Sequence, residues 1–195
     1  AYVVFGSATP PSSVNLDDVA LGTGGFKIFG EADFDSAGNS VSSAGDLNGD
    51  GFADLLVGAY RNAAFGSNTG AAYVVFGSAS PANLVNLDDV SAGTGGFKIA
   101  GETQFDNAAF SVSVAGDVDG DGFDDVIVGA LFHNYGSGAA YVVFGTATPP
   151  IAINLDSVAA GTGGFKIAGE FGGDNSGSSV SSAGDLNGDG FDDLI

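Results

Sequence analysis

Apolar and polar positions alternate along this chain in short bursts, not on a helical period. Residues 40–44 are small and alternating, and they run into an acidic loop. Residues 54–59 (DLLVGA) form an apolar run of buried-strand type. Residues 71–77 are rich in β-formers, and 97–100 with their neighbours make a fourth short run. Gly-rich and polar stretches separate these segments, as turns do. No segment sustains a 3.6-residue period, so the pattern predicts an all-β fold. One helical turn is expected within the long connection of 78–96. There Asn86 caps Leu87-Asp88-Asp89-Val90 and Gly93 closes it.

The same pattern recurs. AYVVFG begins at Ala1, Ala72 and Ala140, and GTGGFKI begins at Gly22, Gly93 and Gly161. Asn-Leu-Asp begins at Asn15, Asn86 and Asn154. An acidic GD(L/V)(N/D)GDGF begins at Gly45, Gly116 and Gly184. Every marker steps by 71 and then 68 residues, so the chain is an array of units of about 70 residues. Four short strands per unit at a fixed period predict blades of a β-propeller; a stacked solenoid, whose coils are usually shorter, is the competing architecture.

Composition narrows the chemistry. The 195 residues hold 24 Asp and Glu against four Lys and Arg, a formal charge of −20. Such a chain cannot neutralise phosphates, which excludes a nucleic-acid binder. There is no Cys, hence no disulfide, thiolate metal site or thiol nucleophile. No apolar run approaches the roughly 20 residues of a membrane span. The hydrophobic fraction of 44% argues against acidic disorder, so the acid is expected to be placed for a purpose. No Met occurs, which points to a processed chain or a piece of a longer one.

Much of that acid lies in three loops. They present side-chain oxygens at positions 1, 3, 5 and 9 and a backbone carbonyl at position 7. The first comprises Asp46, Asn48, Asp50, Phe52 and Asp54; the second Asp117, Asp119, Asp121, Phe123 and Asp125; the third Asp185, Asn187, Asp189, Phe191 and Asp193. Calcium takes about six to eight hard oxygen ligands, and a Gly at position 6 lets the chain turn around the ion. Each loop is therefore expected to bind Ca2+, about three ions per chain, accounting for ten of the 24 acids. An EF-hand is excluded, because its position-12 Glu is replaced by Val57 or Val128 and strand follows where a helix should. An Asp/Gly-rich turn without metal is the plainer alternative, but it would crowd like charges in all three copies.

Residues 38–59, 109–130 and 177–195, with the acidic loop inside each, resemble FG-GAP repeats, the blades of the integrin α-subunit propeller and its bacterial relatives. The head dipeptide differs from FG, reading Ala37-Gly38, Ala108-Ala109 and Ser176-Gly177, and the final Pro of GAP is replaced by Tyr60 and Leu131. The resemblance implies calcium in the loop joining the first and second strands, on one face of a disc, and ligand contacts on the opposite face. In that blade order, 1–36 supply third and fourth strands, 37–107 and 108–175 are complete blades, and 176–195 supply first and second strands. The total is three blades' worth, split two and two at the termini. Closed propellers have about four to eight blades. The expectation is therefore a segment of a longer propeller, or a ring closed by identical copies.

Other repeated residues have structural readings. Lys27, Lys98 and Lys166 are expected as outer-strand charges that discourage edge pairing. Tyr2, Tyr73 and Tyr141, with Phe5, Phe76 and Phe144, are expected to pack between blades. Arg61 and the single His133 fall in loops 60–70 and 131–138, which differ most between copies together with 31–38, 102–109 and 170–177. Varied loops on a repeated scaffold are where binding usually resides, and unselected drift is the plainer alternative. No Ser-His-Asp constellation or phosphate loop is present, so no enzyme is expected. The expected function is a calcium-stabilised segment of an extracellular or cell-surface protein, binding a protein or glycan in adhesion. Alternatives are a self-assembling ring or fibre, and an accessory domain of a secreted hydrolase. Calcium sites of extracellular modules bind at about 10⁻⁴–10⁻³ M, which suits that location.

Overall fold

The computed structural model describes residues 1–63 and 66–195. The chain is all-β with four one-turn helical segments. In order it forms β1 (Tyr2–Val4), α1 (Leu16–Ala20), β2 (Gly25–Phe29), β3 (Ser40–Gly45), β4 (Asp54–Ala59), β5 (Ala71–Val75), β6 (Leu84–Asn86), α2 (Leu87–Ser91) and β7 (Gly96–Ala100). Then come β8 (Ala108–Gly116), β9 (Asp125–Ala130), α3 (His133–Gly136), β10 (Ala139–Val143), β11 (Ala152–Asn154), α4 (Leu155–Ala159), β12 (Gly164–Ala168), β13 (Ser182–Gly184) and β14 (Asp193–Leu194).

Two units are antiparallel four-strand meanders, β3-β4-β5-β7 and β8-β9-β10-β12. Shorter sheets hold β1-β2 and β13-β14. Among the described residues the strands form four separate sheets, none of them closed on itself. The predicted turn is present as α2, where the Asn86 side chain accepts from the Asp88 amide; Asn15 and Asn154 cap α1 and α4 alike. Residues of α3 depart from helix, with Asn134 and Tyr135 left-handed at φ 47° and 58°.

The sheets stack face to face, and the core lies between them. Along β4 and β5 alternate side chains point to opposite sides. Leu56 and Val74 join Val126, Val128 and Tyr141 of the following unit. Val57, Tyr73 and Val75 join Phe26 and Ile28 of the preceding one. Ile127 and Val142 face Val180 and Leu194 in the same way. Because both faces are covered, β5 and β9 are buried along their whole length, which is why they read as continuous apolar runs.

One expectation is corrected. The outer strands β2 and β7 are not bare edges guarded by lysine. β6 runs parallel to β2 and β11 parallel to β7, each donated by the following unit's long connection. Lys98 is buried and paired with Glu31 at 2.5 Å, and Lys166 is paired with Glu102 at 2.7 Å. A three-residue strand carries too little pattern to be seen in sequence, and its partner strand is about 55 residues away. Phe5, Phe76 and Phe144 lie tilted against Phe26, Phe97 and Phe165 of their own units, each at 6.0 Å between ring centres, and Phe76 and Phe144 also pack against the apolar clusters between units. Tyr73 and Tyr141 do lie between units, fully buried, whereas Tyr2 is exposed.

Candidate metal centre

The three acidic loops join β3 to β4, β8 to β9, and β13 to β14. Each is wound on its own carboxylates. In the second loop Asp117 Oδ1 accepts from the Gly120 and Asp121 amides at 2.8 and 3.0 Å, and its Oδ2 accepts from Gly122 at 3.0 Å. Asp119 Oδ1 accepts from Asp121, and Asp121 Oδ1 from Phe123. The first loop repeats this, with Asp46 accepting from Asp50 and Gly51, Asn48 from Asp50, and Asp50 from Phe52. So does the third, through Asp185, Asn187 and Asp189. A carboxylate oxygen that accepts one such bond still has a lone pair to offer a cation.

Position 9 anchors the loop to the sheet. Asp54 is fully buried; its Oδ2 accepts from the Leu47 amide at 3.1 Å and its Oδ1 from Gly77 at 2.8 Å. Asp125, equally buried, accepts from Val118 and Gly145 at 2.9 and 2.8 Å. Asp193 accepts from Leu186 at 2.8 Å. Burial raises the Asp54 and Asp125 carboxyls to about 6, against the lowering effect of these amides and with help from the neighbouring loop acids. Burial and the Asp121 carboxylate raise Asp119 as well. At Asp185 the Gly190 amide leads the opposite effect and the carboxyl is lowered.

Among the described residues, one group of three acids has oxygens all within 4.8 Å of one another: Asp117, Asp119 and Asp125. Asp121 stands outside it, and the acids of the other two loops do not form such a group. Asn48 and Asn187 occupy the place of Asp119 there. The donor set in every loop is oxygen alone, so it suits a hard cation such as calcium and offers nothing to a soft one. Asp117, Asp119 and Asp125, with the Asp121 carboxylate and Phe123 carbonyl nearby in sequence, are the groups that would hold it.

Consecutive loops are tied to each other. The Asp46 amide donates to Asp124 Oδ2 at 2.8 Å, and the Asp117 amide to Asp192 Oδ2 at 3.0 Å. Gly45 and Gly116, at φ 68° and 82°, leave the space those carboxylates fill.

A second set of charged groups lies at the opposite strand ends and was not recognised from sequence. Glu31 binds Lys98, Tyr73 and Asn62, and Asn62 also donates to Asp35 at 2.7 Å. In the next copy Glu102 binds Lys166 and Tyr141. His133 replaces Asn62: its Nδ1–H donates to Asp106 at 2.7 Å, and its Nε2 accepts from Lys166 at 2.7 Å. Burial opposes ionisation of Glu31 and Glu102, but their lysine and tyrosine donors outweigh it and hold both carboxyls below their ordinary value. The signal was present, since Glu31, Glu102 and Glu170 share the 71- and 68-residue steps of the lysines.

Comparison with known proteins agrees with this arrangement. The FG-GAP repeat family matches residues 37–75 and 108–143, which contain the first two acidic loops. Integrin alpha pat-2 of Caenorhabditis briggsae is 34% identical over 110 residues, covering 53% of this chain and 8% of that protein. Integrin alpha pat-2 of Caenorhabditis elegans is 34% identical over 106 residues, with the same coverage of 53% and 8%. The chain thus spans under a tenth of the length of these relatives. Residues 37–75 and 108–143 are therefore FG-GAP repeats, each with an acidic loop inside it.

Proposed function

We propose that this chain is an arc of a calcium-braced β-propeller that serves binding or adhesion outside the cell. The observation that carries the reading is the oxygen-lined turn at Asp117, Asp119 and Asp125, inside a matched FG-GAP repeat. In this reading the stacked sheets are blades with the boundaries given above, and the 46–54 and 185–193 loops hold further ions. A cation among crowded carboxylates relieves their repulsion and binds the folded chain only, so it stabilises by mass action. The varied loops at the other strand ends carry the ligand, and the chain does no catalysis. Among the described residues no helix is long and apolar enough to cross a membrane.

The test is thermal unfolding with calcium and with EDTA. The midpoint is expected to be several degrees higher with calcium; equal midpoints would remove the metal from the reading. Magnesium at equal concentration should give the smaller shift, because it resists losing its water shell.

One observation favours a second reading, self-assembly. At each internal interface a Glu of one unit meets the Tyr and Lys of the next. Glu170 is exposed on one outer sheet face and Tyr2 on the other, so the two faces are complementary. A head-to-tail copy or a further unit could satisfy both. Native mass spectrometry separates them: oligomers abolished by Glu170→Lys would support assembly, and a monomer at all concentrations would end it.

A further inference from the structure

We propose that the cavity between the 102–107 loop and the 131–138 turn binds a neutral saccharide. The proposal rests on the reading of this face as the binding face and adds the chemistry of its ligand. The cavity measures about 910 Å³, the size of a site for a short oligosaccharide. Phe105, Phe132 and Tyr135 line it, with Asn134 and Asn175 beside them and His133 at its floor.

The rings are exposed at a conformational cost. Phe105 has φ 67° and is 60% exposed; Tyr135 has φ 58° and is 99% exposed. Bulky residues rarely adopt this region, and such strain persists where it serves a purpose. Phe34 in the first copy keeps the same left-handed backbone at φ 67°, whereas the third copy has the relaxed alternative, Gly173 at φ 92°, in that place. Burial therefore does not explain why a phenyl ring stands there. Flat apolar rings beside amides match a pyranose, which has one face of C–H groups and a rim of hydroxyls.

Charge selects among sugars. The charged lining groups, Asp106 and His133, are already paired with each other, so among the described residues the lining offers hydrogen-bonding atoms but no spare cation. The whole chain carries −20, which repels sialylated or sulfated glycans. A peptide strand is less suited, because the loop backbones are occupied: Phe132 N donates to Asp106 O, and the Gly173 and Asn175 amides donate to Gly136 O. Among the described residues these bonds take up backbone groups that a peptide strand would pair with.

The test is saturation-transfer NMR on the calcium-loaded chain with cellotriose, mannotriose and N-acetylglucosamine trimer, and with sialyllactose as the anionic comparator. At least one neutral trimer is expected to bind at millimolar concentration, and sialyllactose is not. Tyr135→Ala and Phe105→Gly should each weaken binding about tenfold, and Phe34→Ala, in the preceding copy, should not. Phe105→Gly relieves strain, so its melting midpoint should stay level or rise; a fall in midpoint with unchanged binding would make Phe105 structural and overturn the site. Absence of any neutral-sugar signal from a chain that still melts higher with calcium would overturn this proposal while leaving the metal reading standing. A short-peptide library that binds here and is lost in Tyr135→Ala would overturn it in favour of a peptide ligand.

Discussion

Loops 46–54 and 117–125 occupy equivalent turns, are wound by the same carboxylate-to-amide hydrogen bonds, and rest on equally buried aspartates. They differ at position 3, Asn48 against Asp119, and only the second brings three acids within 4.8 Å. The backbone of the turn therefore does not depend on the third acid, because an Asn oxygen accepts the same amide as an Asp oxygen does. What the third acid changes is charge density at a fixed geometry.

Asp125→Ala leaves one buried and one partly buried amide without acceptors and should cost about 3 kcal/mol, measured by urea unfolding in EDTA. Asp193→Ala, which loses one amide bond in a more exposed turn, should cost about 1 kcal/mol. Equal losses would mean that burial does not distinguish the loops.

At the opposite strand ends, Glu102→Ala strands the partly buried Lys166 and should cost about 2 kcal/mol, with Glu31→Ala similar. The same groups set the pH response. Glu31 and Glu102 are held below their ordinary 4.5, so the unfolded chain takes up protons first. Their contribution is complete above about 4.5 and drains away as pH falls further. Asp54 and Asp125, raised to about 6, act in the other sense: without metal the folded chain takes up protons first, and stability rises as pH falls from 6 toward 3.8. Melting in EDTA across this range should therefore pass through a maximum, and added calcium should flatten its neutral side. A monotonic fall in EDTA would show that the buried aspartates are not strained by their charge.

The comparison is sharpened by exchange. Asn48→Asp should raise the calcium affinity of the first loop about tenfold, and Asp119→Asn should lower that of the second by about as much, about 1.4 kcal/mol each by calorimetry. The smallest effect is expected for His133→Asn. Asn62 already fills that place in the preceding interface, so the change should cost under about 1 kcal/mol in unfolding.

The acidic loops were legible because their signal is local. Ligand spacing, the turn glycines and the following strand all lie within nine residues, and three copies repeat them. The strands were legible for a related reason: sheets covered on both faces produce continuous apolar runs such as 71–75. The interface groups were not legible in the same way. Glu31 and Lys98 are 67 residues apart, and nothing near either one says that they meet. The lysines were consequently assigned to solvent, where isolated charges on outer strands usually belong.

The sequence by itself determined the unit, its all-β character, the turn geometry of the acidic loops and the oxygen-only chemistry they present. These follow from local spacing, from glycine's access to positive φ and from repetition. The folded arrangement was needed to show how β6 and β11 extend the neighbouring sheets, and that Glu31 and Glu102 hold Lys98 and Lys166 between units. Those outcomes depend on how one sheet stacks against the next, a relation set by packing between residues about 70 positions apart.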